Sequence, residues 1–226
     1  MELFNRNVTL LRFPGGGAFS KKILATRAAS AESEPRVSRI SPPSTFPVKR
    51  RGVVITVQVP TRVGGLELVS DEIRYAPQHF VVPSLVYVLD GPDASTEILG
   101  YRRGAIRALL SSTFSGQDAG PPEPQALRPI SRIFRKGDVL LRARYVLKGG
   151  RADEPIIRTD TGRNLPFEDL VKVADPVESI TIQAPTNRGS LTFRVDYGTS
   201  SVSFYNSSRV PLSWDDVFQT VDKRLF

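Results

Sequence analysis

Three runs in this chain alternate with a period of two: DVLLRARYVL (138–147), SITIQ (179–183) and SLTFRVDY (190–197). A two-residue period puts successive side chains on opposite faces of an extended chain, so each run can bury one face only as a strand. In the first run Val139, Leu141, Ala143, Tyr145 and Leu147 point one way, while Arg142, Arg144 and Lys148 line the other. The expectation is a half-buried strand with a basic outer surface. Asn187-Arg188-Gly189 is the turn between the second and third runs, and SSVSFY (200–205) follows as a further strand.

Two earlier runs are strand-like by composition. VVITVQV (53–59) is β-branched and meets Pro60, which cannot donate to a strand ladder. Gly64-Gly65 reads as a turn and LELV (66–69) as a return strand. LVYVLD (85–90) ends at Gly91-Pro92. A helix is expected next, capped by Ser95 or Asp93, because Ile98, Leu99, Ala105, Ile106, Leu109 and Leu110 recur near helical spacing. Arg102, Arg103 and Arg107 occupy its other face. At the C-terminal end Ser213 and Asp216 have the spacing of a capping box, and Trp214, Val217, Phe218, Val221 and Leu225 form an apolar stripe. The sum is a β-dominated α+β fold: an antiparallel sandwich or barrel-like domain over 53–226, with one or two packed helices. No repeat of solenoid length is present.

Residues 1–52 read differently, as a basic, Gly/Pro-rich N-terminal arm. Beyond Phe13 they contain Gly15, Gly16, Gly17, Pro35, Pro42, Pro43 and Pro47, and large apolar residues recur at no period. Such a stretch buries too little surface to offset its ordering entropy. The charge follows this division. The whole chain carries +8; residues 1–52 hold ten Lys/Arg against three acids, and residues 128–151 hold eight against Asp138 alone. Each block is +7, while 53–127 and 152–226 are each −3. Blocks of one sign are surfaces for polyanions.

The glycine triplet in FPGGGAFSKK (13–22) raises the question of a phosphate loop. From Gly15 the pattern needs glycine at position 20, where Ser20 stands, and Lys22 replaces the hydroxyl residue that would hold magnesium. The triplet is therefore expected to be a hinge, with Lys21 and Lys22 part of the arm's charge. Catalytic chemistry finds little else. Cysteine is absent and His79, placed in a loop between Pro77 and Pro83, is the one histidine, so thiolate chemistry and histidine-rich metal sites are excluded. The acid pairs Glu168-Asp169 and Asp215-Asp216 are sequence neighbours that face different ways, and the second pair suits a first helical turn. Asp160, Thr161 and Arg163 read as a polar turn. No nucleophile, base and oxyanion hole assemble. The expectation is a non-enzyme with no catalytic residues, no cofactor, no metal and no small-molecule substrate.

The leading functional expectation is a structural protein that binds nucleic acid, RNA before DNA, and self-associates. Its contact residues would be Lys21, Lys22, Arg27, Lys49, Arg50 and Arg51 in the arm, Arg102 and Arg103 on the helix, and Arg132, Arg135, Lys136, Arg142, Arg144 and Lys148 in the second block. A basic arm ahead of a β-rich domain resembles the layout of small-virus coat proteins, and viral matrix and movement proteins share the basic, β-rich, cysteine-poor character; the resemblance is one of architecture, with no diagnostic motif. A second expectation is import into a plastid or mitochondrion, with residues 1–31 as a transit peptide cleaved near Ala28–Ala31 and the β domain as an assembly or RNA-binding subunit. A third is attachment to an anionic membrane surface through Arg102, Arg103, Arg107 and the arm. The absence of an N-terminal apolar segment argues against secretion and favours a reducing intracellular compartment or a virion, so the sequons at Asn7 and Asn206 carry no weight.

Overall fold

The computed structural model describes residues 2–4, 7–15, 36–40, 44–45, 50–76, 78–114, 122–147, 156–161, 177–187, 189–205 and 212–226. In chain order the strands are β1 (Glu2–Phe4), β2 (Val8–Phe13), β3 (Arg36–Ile40), β4 (Ser44–Thr45), β5 (Arg51–Val63), β6 (Leu66–Val69), β7 (Glu72–Tyr75), β8 (Gln78–Asp90), β9 (Thr96–Gly100), β10 (Val139–Leu147), β11 (Ile156–Thr161), β12 (Val177–Thr186), β13 (Gly189–Asp196), β14 (Ser201–Tyr205) and β15 (Leu212–Ser213). The α-helices are α1 (Arg103–Phe114), α2 (Ile130–Ile133) and α3 (Trp214–Thr220), the last continued by a π turn, Val221–Leu225. This is the β-dominated α+β fold expected. The chain forms two compact units, one of Met1–Pro14, Pro47–Lys49 and Glu123–Phe226, the other of Gly15–Phe46 and Arg50–Pro122.

In the first unit antiparallel strands run in the order β11-β10-β12-β13-β14-β2. Alternation sorts their two faces. Ala143, Ile180, Val195, Val202 and Leu10 stand in one row across five strands, and each is buried. The neighbouring row of Leu140, Ile182, Phe193, Phe204 and Val8 is buried too, with the Phe193 and Phe204 rings 6.2 Å apart. Burying such side chains contributes roughly 1.5–3 kcal/mol each relative to exposure. The C-terminal helix starts as its spacing predicts. Ser213 Oγ accepts from Asp216 N at 3.1 Å and donates to Asp216 Oδ2 at 2.5 Å. Trp214 and Phe218 stack at 5.2 Å, and Val217, Val221 and Leu225 complete the buried stripe.

The second unit has the strand order β9-β8-β5-β3, with β4 also on β5. Val53, Ile55 and Val57 from β5 join Val86 and Val88 from β8 and Ile106 and Leu109 from α1 in its core. β5 and β8 pair from Gly52↔Leu89 out to Val63↔Gln78, and β6 and β7 form a separate two-stranded hairpin within the connection.

Several expectations change. Ile98 and Leu99 lie in β9, all five of whose residues are buried, and the helix starts only at Arg103. Adjacent apolar residues fit a strand buried on both faces as well as a helix. A Cβ on Gly100 would lie 2.7 Å from the Ile106 side chain, so glycine lets the end of β9 approach α1. β5 does not stop at Pro60 but continues to Val63; pairing with β3 extends only to Gln58, so Pro60 sits beyond that partner, where a missing donor costs least. LELV pairs with β7, not with β5. His79 is in β8, opposite Arg62, and Asp160 and Thr161 are in β11.

The strand at 139–147 forms, but its register with β12 shifts between Leu140 and Arg142. The extra residue inverts the pattern on one side of it. Leu140 is therefore the buried residue, while Val139 and Leu141 are 52% and 38% exposed. Within the segment expected as an arm, β2 is a strand whose six residues are all buried, and β3 pairs with β5. Residues 16–35, including the glycines Gly16 and Gly17, lie outside the described residues, as do Glu168 and Asp169.

Gly52 supplies a stability test. A methyl group there would collide with the Val88 carbonyl oxygen and the Leu89 side chain, and the backbone atom cannot swing aside. Gly52→Ala is expected to destabilise the protein by about 1–3 kcal/mol, the range for overpacking, read as a lower midpoint in urea unfolding.

Candidate polyanion-binding surface

The C-terminal π turn organises the cations of the first unit. The Arg128 amide donates to the Leu225 carbonyl at 2.9 Å, which ties the 128–138 segment to the turn. Two guanidinium groups then converge on one backbone acceptor: Arg128 Nη1 and Arg135 Nη2 donate to the Lys223 carbonyl oxygen at 3.2 and 2.6 Å. Their side chains are held, yet the acceptor is a neutral dipole and leaves their charge intact. Lys223 itself is exposed beside them, and Arg132 and Lys136 are exposed on the same segment. Two nearby carboxylates are used elsewhere. Asp138, whose side chain is fully buried, takes Arg224 Nη1 at 2.7 Å and the Arg135 amide at 2.8 Å. Asp222 pairs at 2.5 Å with Arg12, whose guanidinium also lies 4.7 Å from the Phe226 ring centre. The result is a ridge bearing Arg128, Arg132, Arg135, Lys136 and Lys223.

β10 contributes differently. Arg142 is exposed and stands in a polar row with Thr181, Arg194, Ser203 and Thr9, the face opposite the apolar rows. No ion-pair partner for Arg142 occurs among the described residues. Arg144 Nε lies 2.7 Å from Glu178 Oε2, and Arg194 pairs with Asp196 at 3.4 Å. Arg142 and Arg144 are thus not equivalent, although the strand alternation groups them.

The other expected contacts divide further. Arg50 pairs with the fully buried Glu97 at 2.9 Å, a structural role in the second unit. Arg51 and Arg103 are exposed, and Arg102 is exposed with a 3.5 Å hydrogen bond to Thr61 Oγ1. Lys21, Lys22, Arg27, Lys49 and Lys148 lie outside the described residues. Arg128 and Lys223 were not among the expected contacts. Arg128 sits inside the second charge block, so block membership was its signal; Lys223 lies in an acidic flank and only the tertiary structure reaches it.

A cavity of about 360 Å³ adjoins the ridge, lined among others by Arg135, Asn187, Ser213, Asp215, Asp216 and Lys223. Both signs of charge face it, so it is a poor pocket for a lone anion. Among the described residues no group of three or more His, Asp or Glu could hold a metal, and no helix is long and apolar enough to cross a membrane.

Tyr197 braces the ridge, its hydroxyl donating to the Arg128 carbonyl at 3.2 Å. Burial pushes its phenol well above the usual value. An unfolded tyrosine releases its proton near pH ~10, while the folded one holds it longer. The folded state therefore binds more protons above that pH, and its stability falls as pH rises. Tyr197→Phe is expected to remove this alkaline loss, at the cost of about 1 kcal/mol at neutral pH for one hydrogen bond, in urea titrations across pH. On β10, Arg142→Gln should change stability by less than about 0.5 kcal/mol. Arg144→Gln should lose up to about 1 kcal/mol, the scale of a half-exposed ion pair.

No protein-family model, no curated protein and no solved structure matches this chain.

Proposed function

We propose that the chain is a non-enzymatic structural protein that binds a polyanion, RNA before DNA, in a role of the kind that viral coat, matrix or movement proteins perform. The observation that carries the reading is the shared acceptor at Lys223: two arginines anchored by a backbone carbonyl, beside Lys223, Arg132 and Lys136, with Asp222 and Asp138 engaged by Arg12 and Arg224. Anchored guanidinium groups lose less side-chain freedom on meeting a phosphate, and they present planar donors to it. Phosphate contacts of this type position a nucleic acid without reading its bases. The cavity beside the ridge carries both signs of charge, which suits an extended ligand along the ridge better than a small anion in the cavity.

Membrane attachment through α1 has less support. Arg103 and Arg107 are exposed, but Ala105, Ile106 and Leu109 are buried in the second unit, so the apolar face of α1 is not available to lipid. Cleavage near Ala28–Ala31 would remove β2, a buried strand of the first unit, which weighs against a transit peptide.

The test is the salt dependence of binding to a uridine oligonucleotide, read by fluorescence anisotropy. Arg132 and Lys136 are exposed and make no side-chain hydrogen bond or ion pair among the described residues, so Arg132→Gln with Lys136→Gln should leave unfolding unchanged. If both meet phosphate, the slope of log K against log salt should become shallower by about 1.4, two contacts at the single-strand value. An unchanged slope and affinity would remove the ridge from the binding surface.

A further inference from the structure

The outer part of the second unit is a two-stranded ribbon with an unusual distribution of side chains. Leu66 lies opposite Tyr75, and Leu68 opposite Ile73, so these four share one face of the β6–β7 hairpin. They are 77%, 66%, 69% and 71% exposed. The reverse face holds Glu67 opposite Arg74 and Val69 opposite Glu72, with Arg74 and Glu72 paired at 3.0 Å. The hairpin is therefore amphipathic, with its apolar face turned to solvent. Its tip is a two-residue turn in which Ser70 and Asp71 both have positive φ, 50° and 65°. That geometry suits the strand twist and favours glycine, asparagine or aspartate, so Asp71 fits it and Ser70 is the less usual occupant. A short two-stranded hairpin is marginal in water without a layer packed on its apolar face. Among the described residues no such layer exists.

We infer that this face is covered by the same face of a second copy of the chain, in a two-fold symmetric pairing of ribbons. Charge selects the class of partner. From Arg62 to His79 the ribbon carries Glu67, Asp71 and Glu72 against Arg62 and Arg74, a net −1, and the apolar face has no charge at all. An anionic membrane or a nucleic acid gains nothing there. Area selects the copy. A stable interface takes roughly 800 Å² from each partner. Four large side chains at about two-thirds exposure or more supply the greater part of that area. The face is also self-complementary. A two-fold axis through its centre sets Leu66 and Tyr75 of one copy against Leu68 and Ile73 of the other, apolar on apolar, as a symmetric contact requires.

The inference is independent of polyanion binding and has its own test. Sedimentation equilibrium of the full chain without nucleic acid is expected to show a dimer or a higher even oligomer at micromolar concentration. Leu68→Glu with Ile73→Glu should weaken association at least a hundredfold, with the main thermal transition unmoved because both side chains are already exposed, and with oligonucleotide affinity per subunit retained. The chain lacks cysteine, so a mixture of Ile73→Cys and Tyr75→Cys chains, whose substituted positions face each other across the axis, gives a second readout: a disulfide-linked dimer of the two variants under mild oxidation. A monomeric wild type up to roughly 100 μM, a concentration far above the Kd of a micromolar dimer, would overturn the inference. An oligomer that survives the double substitution, or a mixture that fails to cross-link between positions 73 and 75, would place the interface elsewhere and overturn it equally.

Discussion

A carboxylate removed from water must find a cation and hydrogen-bond donors, and Asp138 meets that demand through Arg224 and the Arg135 amide. The pairing joins the entry to β10 with the C-terminal turn. Once that turn is fixed, its backbone carbonyls become acceptors in fixed positions, and Arg128 and Arg135 reach one of them. Arg12, from β2, closes the other side of the turn through Asp222 and the Phe226 ring. The cationic ridge is therefore a consequence of a buried ion pair. Lose the pair, and the turn that arranges the arginines has no reason to hold its shape.

Much of the fold was legible where a local rule was sufficient. The turn at 187–189 and the alternating runs around it gave the β12–β13 hairpin because the two-residue period and the turn residues agree. Ser213 and Asp216 announced α3 because a cap is a contact between residues three apart. The composition of the second charge block pointed to the ridge. In each case the controlling interaction spans a few residues, and a sequence displays it directly.

What escaped the sequence was controlled at long range. The bulge between Leu140 and Arg142 depends on how β10 registers with β12, some forty residues away, and it exchanges which leucine is buried. Ile98 and Leu99 belong to β9 because β8 supplies a partner, though their spacing suits a helix equally. The pairing of Arg144 with Glu178 is a partner choice across strands, and strand alternation is silent on it. Lys223 joins the ridge only because the C-terminal turn folds back onto residues 128–138.

Charge counting by segment has the same weakness, and the ion pairs correct it in a definite direction. Arg12 and Arg50 belong to the first block, yet their partners Asp222 and Glu97 lie outside it. These two pairs alone lower the effective charge of residues 1–52 from +7 to +5. The second block loses Arg144 to Glu178, but its one acid, Asp138, is neutralised by Arg224 from outside. Counting the pairs among the described residues, it therefore stays at +7, and the fold adds Lys223 to its surface. Equal by sequence, the two blocks are unequal once pairing is considered. The second is also the one whose cations are partly anchored by backbone acceptors. For a ligand that responds to local potential more than to net charge, a cluster of held cations in residues 128–144 outweighs an equal number spread along a chain. That is the physical reason to test the ridge first in any assay of polyanion binding.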